Sequence, residues 1–252
     1  YGDHRDLPSF PARRSSDLDA HGRHDFEVAV ENWTHDFNIG SMVRTANAFQ
    51  AKRVHIVGPH KWNRKGALMT ELYQHVEHHP SIAELVECWH NRIAGEIATE
   101  RARAGAAALK AHAIASAHNG AETGDGNGSE GIIGNSGATV SSHVSALNAV
   151  SAVAEATAEI AQADARIKEL EAARIIALDI IPGAVPMETY AFPKRCLLLF
   201  GAEGPGLSSK ALELADDVVY ISQFGSVRSI NAGAAAAVAM HAWIAQHAAT
   251  AV

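Results

Sequence analysis

Cysteine is nearly missing: Cys88 and Cys196 are the only two in 252 residues. That excludes a disulfide framework and a zinc site made of thiolates alone, and it suits a reducing cytoplasm. Long apolar stretches are missing too. No run of roughly 18 apolar residues occurs without polar breaks, so no transmembrane helix is expected. The start of the chain lacks a signal-peptide pattern. An excess of positive charge is also absent, with 21 Lys and Arg against 28 Asp and Glu for a net charge of −7. This excludes coating of nucleic acid by bulk positive charge and leaves room for a local basic patch.

The first residue is Tyr1 rather than Met, and Ser9–Leu18, SFPARRSSDL, resembles a reading frame through a sequencing-library adapter. Residues 1–18 are therefore expected to be a non-native leader. The competing reading is a genuine basic arm around Arg13 and Arg14.

What is present alternates between strand and helix patterns, at 47% hydrophobic content that suits a globular core. FEVAV at Phe26–Val30 has strand character. NIGSMVRTANAF at Asn38–Phe49 spaces Ile39, Met42, Val43 and Ala46 as one face of a helix, turning Ser41, Arg44 and Ala48 to the other. Asn38 stands where a cap belongs. AKRVHIVG, residues 51–58, is a second strand, and the succession suits a parallel βαβ unit. Behind it Lys61, Arg64 and Lys65 surround Trp62, a combination that suits a phosphate backbone with a base or ribose face, although a solvated loop accounts for it equally. His75, His78 and His79 have no carboxylate or thiol at a recognisable ligand spacing, so no metal is expected. Ser81 and Glu84 form a capping box for a helix over residues 81–92.

Composition then shifts. Residues 96–172 are rich in alanine, with a Gly, Asn and Ser tract over 119–137 that cannot bury enough apolar surface to fold alone. Two helices joined by a flexible tip, inserted between residues 19–95 and 173–252 of one domain, are expected. Strand character resumes at Arg174–Ile180. LLLFGAEGPGLS, Leu197–Ser208, runs from a buried strand into a glycine loop, and Tyr220–Ile244 runs from a strand through Gly225 into an alanine-rich helix. Two bare loops at strand ends share one site in open α/β sheets. The expected fold is α/β with a mainly parallel sheet flanked by helices.

The segments NIGSMVRTANAF, LLLFGAEGPGLS and ISQFGSVRSINAGAAAA together resemble, in order and spacing, the three motifs of the SpoU (TrmH-like) family of SPOUT RNA methyltransferases. The likeness covers roughly residues 25–88 and 174–248. It implies a C-terminal deep trefoil knot, S-adenosylmethionine (SAM) held among the knotted loops with S-adenosylhomocysteine as product, and a homodimer. It further implies methylation of a ribose 2′-hydroxyl in tRNA or rRNA. Residue by residue, the resemblance assigns Leu199, Gly201, Gly204, Ile221, Gln223 and Ile230 to the cofactor. Asn38, Arg44, Glu203, Ser229 and Asn231 fall to the reacting centre, with Arg44 as the family's catalytic arginine, and Lys61, Arg64 and Lys65 to RNA. Family members usually carry Leu at the position of Ile230 and often Asn at that of Ala202.

The chemistry needs no metal, because a sulfonium methyl is already electrophilic. It needs an oxygen held in line and a route for its proton. A guanidinium normally stays protonated. Either Arg44 gives up a proton in the site, or it aligns ribose and phosphate while another group takes the proton. Two other classes use similar features. A non-catalytic RNA-binding or assembly factor would keep the basic loop without transferring methyl groups, and a dinucleotide oxidoreductase is suggested by GAEGPG but lacks the required glycine spacing and ribose-binding acid.

Overall fold

The computed structural model describes residues 22–33, 38–122, 136–226 and 229–248. The adapter-like leader, the centre of the Gly, Asn and Ser tract, and Val227–Arg228 of the third motif lie outside them.

Seven strands form one sheet. β1 (Phe26–Glu31), β2 (Val54–Val57), β3 (Val76–His79), β4 (Arg174–Leu178), β5 (Val185–Pro186), β6 (Cys196–Phe200) and β7 (Asp217–Tyr220) stand in the order β3-β2-β1-β6-β4-β7-β5. Every pairing is parallel. The apolar runs FEVAVE and CLLLF are buried at every position, as expected of strands covered on both faces. The two strands that the sequence pattern did not mark, β3 and β5, are the two edges. β3 reads VEHH and β5 is two residues ending in proline, and an edge tolerates both because one side of its ladder is unpaired.

On one face lie α1 (Asn38–Ala48) and α5 (Ala232–His247). Ile39, Met42, Val43 and Ala46 of α1 share a buried core with Val28, Val30, Leu198 and the α5 residues Ala236, Ala239, Met240 and Trp243. The Trp243 ring lies 4.7 Å from that of Phe26, and its Nε1 donates to Pro193 O at 3.1 Å. The small alanines of α5 allow close packing, and the large Trp243 closes the far end. α2 (Ile82–Glu122) starts on the capping box, with Glu84 N donating to Ser81 Oγ at 3.3 Å. α4 (Ser209–Leu214) precedes β7.

Two compact units emerge. One comprises the chain up to Trp89 together with the chain from Ala173, and the other is His90–Ala172. In the second unit α2 continues without a break past residue 96, and α3 (Ser136–Glu171) accompanies it. Their seam buries Ala107, Ala156, Ala163 and Leu170. Arg103 donates to Gln162 at 3.3 Å in an exposed contact that adds little stability, and the half-buried Arg166 pairs with Glu96 at 3.5 Å. Among the described residues no helix is long and apolar enough to cross a membrane.

The first unit also encloses charge. Arg195, fully buried, donates from Nη2 to Glu27 Oε1 at 2.7 Å and from Nη1 to Asp25 O at 3.3 Å. Its guanidinium carbon lies 5.9 Å from the Trp89 ring. The other Glu27 oxygen is 2.6 Å from His55 Nε2. Burial alone would push the Glu27 carboxyl up. The His55 hydrogen bond and the Arg195 charge outweigh it and hold the group far below the usual carboxylate range. A depressed folded-state value means that this contribution is complete above about pH 4.5 and fades as pH falls toward the folded value. Glu27→Gln strands the buried Arg195 charge and is expected to cost about 3–5 kcal/mol at neutral pH. The gap to wild type should narrow below about pH 4.5, as the unfolded wild-type chain takes up a proton on Glu27 that the folded chain still refuses. Urea unfolding across a pH series measures both.

Candidate cofactor and RNA site

Chain geometry puts the loops after β4, β6 and β7 side by side, because these strands are parallel neighbours that end on the same edge. The loop after β6 folds back tightly. Gly206 N donates to Ala202 O at 3.0 Å, and Gly204 and Gly206 have φ of +92° and +74°. A Cβ on Gly201 would stand 2.1 Å from the Gly206 carbonyl carbon, so no side chain fits there. The loop's exit is pinned by a buried acid: Ser208 donates from N and Oγ to the two oxygens of Glu31, both at 2.7 Å. Ser208 Oγ also accepts from Ala211 N at 3.1 Å and so caps α4. Glu188 does the same for the loop after β7, accepting from Ser222 N and Oγ at 3.2 and 2.9 Å.

These loops enclose a cavity of about 370 Å³. Its walls combine apolar side chains, among them Leu178, Phe200, Ile221 and Ile230, with the bare backbone of Gly201, Gly204 and Gly206. Asp179, Glu203, Gln223 and Ser229 add polar groups. Among the described residues Gln223 Oε1 is buried without a hydrogen-bond partner. A buried acceptor left open beside a cavity is a position that a ligand donor would fill.

At the cavity mouth three distant segments meet. Asn38, at the start of α1, donates from Nδ2 to Glu203 Oε2. Asn231 Nδ2 lies 2.9 Å from Asn38 Oδ1 and 3.4 Å from the same Glu203 oxygen. Asn231 Oδ1 meanwhile accepts from Ala234 N at 3.2 Å, capping α5. Asn231 is thus a helix cap and a member of the cluster at once. Gly233 keeps the corner open, since a Cβ there would come 3.2 Å from Asn231 Oδ1.

Of the residues assigned from the motifs, Gly201, Gly204, Ile221, Gln223, Ser229, Ile230 and Glu203 line the cavity, and Asn38 and Asn231 join Glu203. Leu199 does not line it. It is buried within β6, paired with Ala29 and Ala177, and alternation carries it to the opposite face from Leu198 and Phe200. Arg44 is exposed on α1, away from the cavity walls, and makes no hydrogen bond or ion pair among the described residues. Lys61, Arg64 and Lys65 are exposed on a neighbouring loop, with the Arg64 guanidinium 5.8 Å from the Trp62 ring. That loop packs on the first turn of α1. A Cβ on Gly40 would meet Gly66 Cα and Ala67 N at 2.8 Å, so both glycines are needed for the approach.

Sequence reasoning missed Asp179, Glu31 and Glu188. Glu31 closes a strand pattern and its acid gave no signal, because its partner Ser208 comes 177 residues later. Asp179 was legible in principle, as an acid at a strand's carboxyl end.

Fold and site define a parallel α/β domain with a small-molecule pocket at the carboxyl ends of three neighbouring strands. Within that class, the model of the SpoU rRNA Methylase family matches residues 126–241, just under half of the chain, which take in the second and third motif segments. A tRNA (guanosine(18)-2′-O)-methyltransferase of Saccharomyces cerevisiae is 35% identical over 81 residues, which is 32% of this chain and 6% of that protein. Among solved structures, the SpoU methyltransferase AviRb from Streptomyces viridochromogenes in complex with AdoMet superposes with a TM-score of 0.53 at 20% identity, covering 89% of this chain and 59% of that one. A protein solved for insight into 2-OH methylation of C/U34 on tRNA gives 0.51 at 16% identity, over 89% and 97% of the two chains. At such identities these structures share the fold.

Gly201→Ala tests the tight loop. Its methyl group has nowhere to go without moving the Gly206 backbone, and the expected loss is about 1–3 kcal/mol, read as a lower Tm by differential scanning fluorimetry. Gly225→Ala, with open space around its Cβ position, should leave Tm nearly unchanged.

Proposed function

We propose that this chain transfers a methyl group from SAM to a ribose 2′-hydroxyl of tRNA or rRNA, as a cytoplasmic homodimer whose C-terminal segment is threaded as a trefoil knot. The observation that carries the reading is the meeting of Asn38, Glu203 and Asn231, one from each motif, at the mouth of the cavity. The names of the yeast relative and of the AdoMet-bound structural neighbour support the same chemistry.

The cavity fits the cofactor in chemical terms. Apolar walls suit an adenine ring, exposed glycine backbone suits polar edges, and the open Gln223 Oε1 suits an amino group. Gly201, Gly204, Ile221, Gln223 and Ile230 would hold it. When bound, it supplies a methyl group that is electrophilic without a metal. The protein's own work is positional. Glu203 accepts from both asparagines, which fixes their amides at the mouth. Ser229, exposed on the wall, offers a hydroxyl to the incoming sugar. Among the described residues Arg44 makes no hydrogen bond or ion pair, and its exposed guanidinium can donate to a ribose or phosphate oxygen, which favours the aligning role over the base role. The basic loop on the same helix turn would bind backbone phosphates. Two free cysteines fit a reducing compartment.

Calorimetry should show binding of S-adenosylhomocysteine and none of NAD; the reverse result would refute the assignment. With labelled SAM and total RNA, methyl transfer blocked by a 2′-deoxy target nucleotide is expected, whereas cofactor binding without transfer would identify an RNA-binding factor instead. Arg44→Ala should lower kcat/KM on the order of a hundredfold, with Arg44→Lys between it and wild type, because what is lost is alignment. Near-normal activity in both variants would remove Arg44 from the mechanism.

A further inference from the structure

Beyond the cavity, the histidines at the β2 and β3 edge make a second constellation. His55 Nδ1 lies 3.0 Å from His79 Nε2 and 3.5 Å from Glu77 Oε2, and the last two atoms are 3.8 Å apart. All three side chains belong to one face, since Glu77 and His79 alternate with His78 along β3 and Glu77 is in register with His55. Ligand atoms about 2.0–2.2 Å from a tetrahedral zinc ion stand roughly 3.3–3.5 Å from one another. The triangle has that size.

The surroundings prepare these atoms for a cation. Glu27, neutralised by Arg195, receives the Nε2 side of His55, which leaves Nδ1 with its lone pair turned toward His79 and Glu77. A carboxylate behind a ligating histidine is the usual support for a metal-bound imidazole. Glu77 divides its oxygens in a similar way: Oε1 takes the Arg53 guanidinium at 3.2 Å, and Oε2 faces the histidines. His55 is fully buried and His79 nearly so, while Glu77 is about one-third exposed, which opens the group to solvent on one side. Two nitrogens and a carboxylate oxygen suit zinc among the common divalent ions.

We propose that His55, Glu77 and His79 bind one zinc ion, with water in the fourth position, as a clamp that ties edge strand β3 to β2 and, through Glu27 and Arg195, to β1 and β6. The site takes no part in methyl transfer and stands whether or not that activity is found.

The test uses the full chain, stripped with a chelator and dialysed against zinc. Elemental analysis should return about one zinc per chain, Tm should rise with zinc, and cobalt(II) in its place should give the strong visible bands of a tetrahedral site. Glu77→Gln and His79→Asn should each abolish stoichiometric zinc and the Tm rise, with far-UV circular dichroism unchanged. His78→Asn, on the opposite face of the same strand, should retain both. Wild-type protein without stoichiometric zinc, an octahedral cobalt spectrum, or zinc retained in either ligand variant would overturn the proposal. The two wild-type measurements decide it even if a variant fails to fold.

Discussion

The carboxylate of Glu203 is the point on which the site depends. It sits on a loop too tight to carry side chains at Gly201, and it accepts from amides that begin two different helices. Both helices are fixed by buried faces that share one core on the same side of the sheet. The acid is therefore held by partners that cannot easily move, and in turn it sets where the asparagine amides point. Pre-organisation of this kind sets polar groups in place before any ligand arrives.

A second layer of acids supports the first. Glu31 and Glu188 each grip a serine by its backbone N–H and hydroxyl, one behind the glycine loop and one behind the loop after β7. Glu31 is buried, so its two hydrogen bonds are strong in a low dielectric and expensive to leave unmade. The exposed Glu188 does the same task with less energy at stake. The loops around the cavity are thus held by side chains that do not themselves line it.

Much of this was legible in the sequence, and the rest was hidden for definable reasons. Ile39, Met42, Val43 and Ala46 follow helical spacing, and all four are buried. The strand and glycine-loop pattern at Leu197–Ser208 marked a wall of the cavity. Leu199 misled because a motif is contiguous along the chain while a strand alternates between faces. β3 was invisible because VEHH has neither β-branched enrichment nor apolar alternation, so its histidines could be judged only against neighbours in sequence. Their actual partner, His55, comes from another strand, and no linear spacing encodes it. Gln223 stood out by position in a motif, but its unfilled acceptor is visible only in three dimensions.

The sheet's centre joins parts of the chain made far apart in time. β1 pairs with β6, and Arg195 reaches Asp25 across 170 residues, with the long α2 and α3 helices translated in between. Those helices rest on local contacts and can form as they leave the ribosome, whereas Glu27 must wait in water for its arginine. A nascent chain therefore presents β1 as an unfinished edge for most of its synthesis, and its two glutamates, Glu27 and Glu31, are the charges that discourage strangers from pairing with it in the meantime.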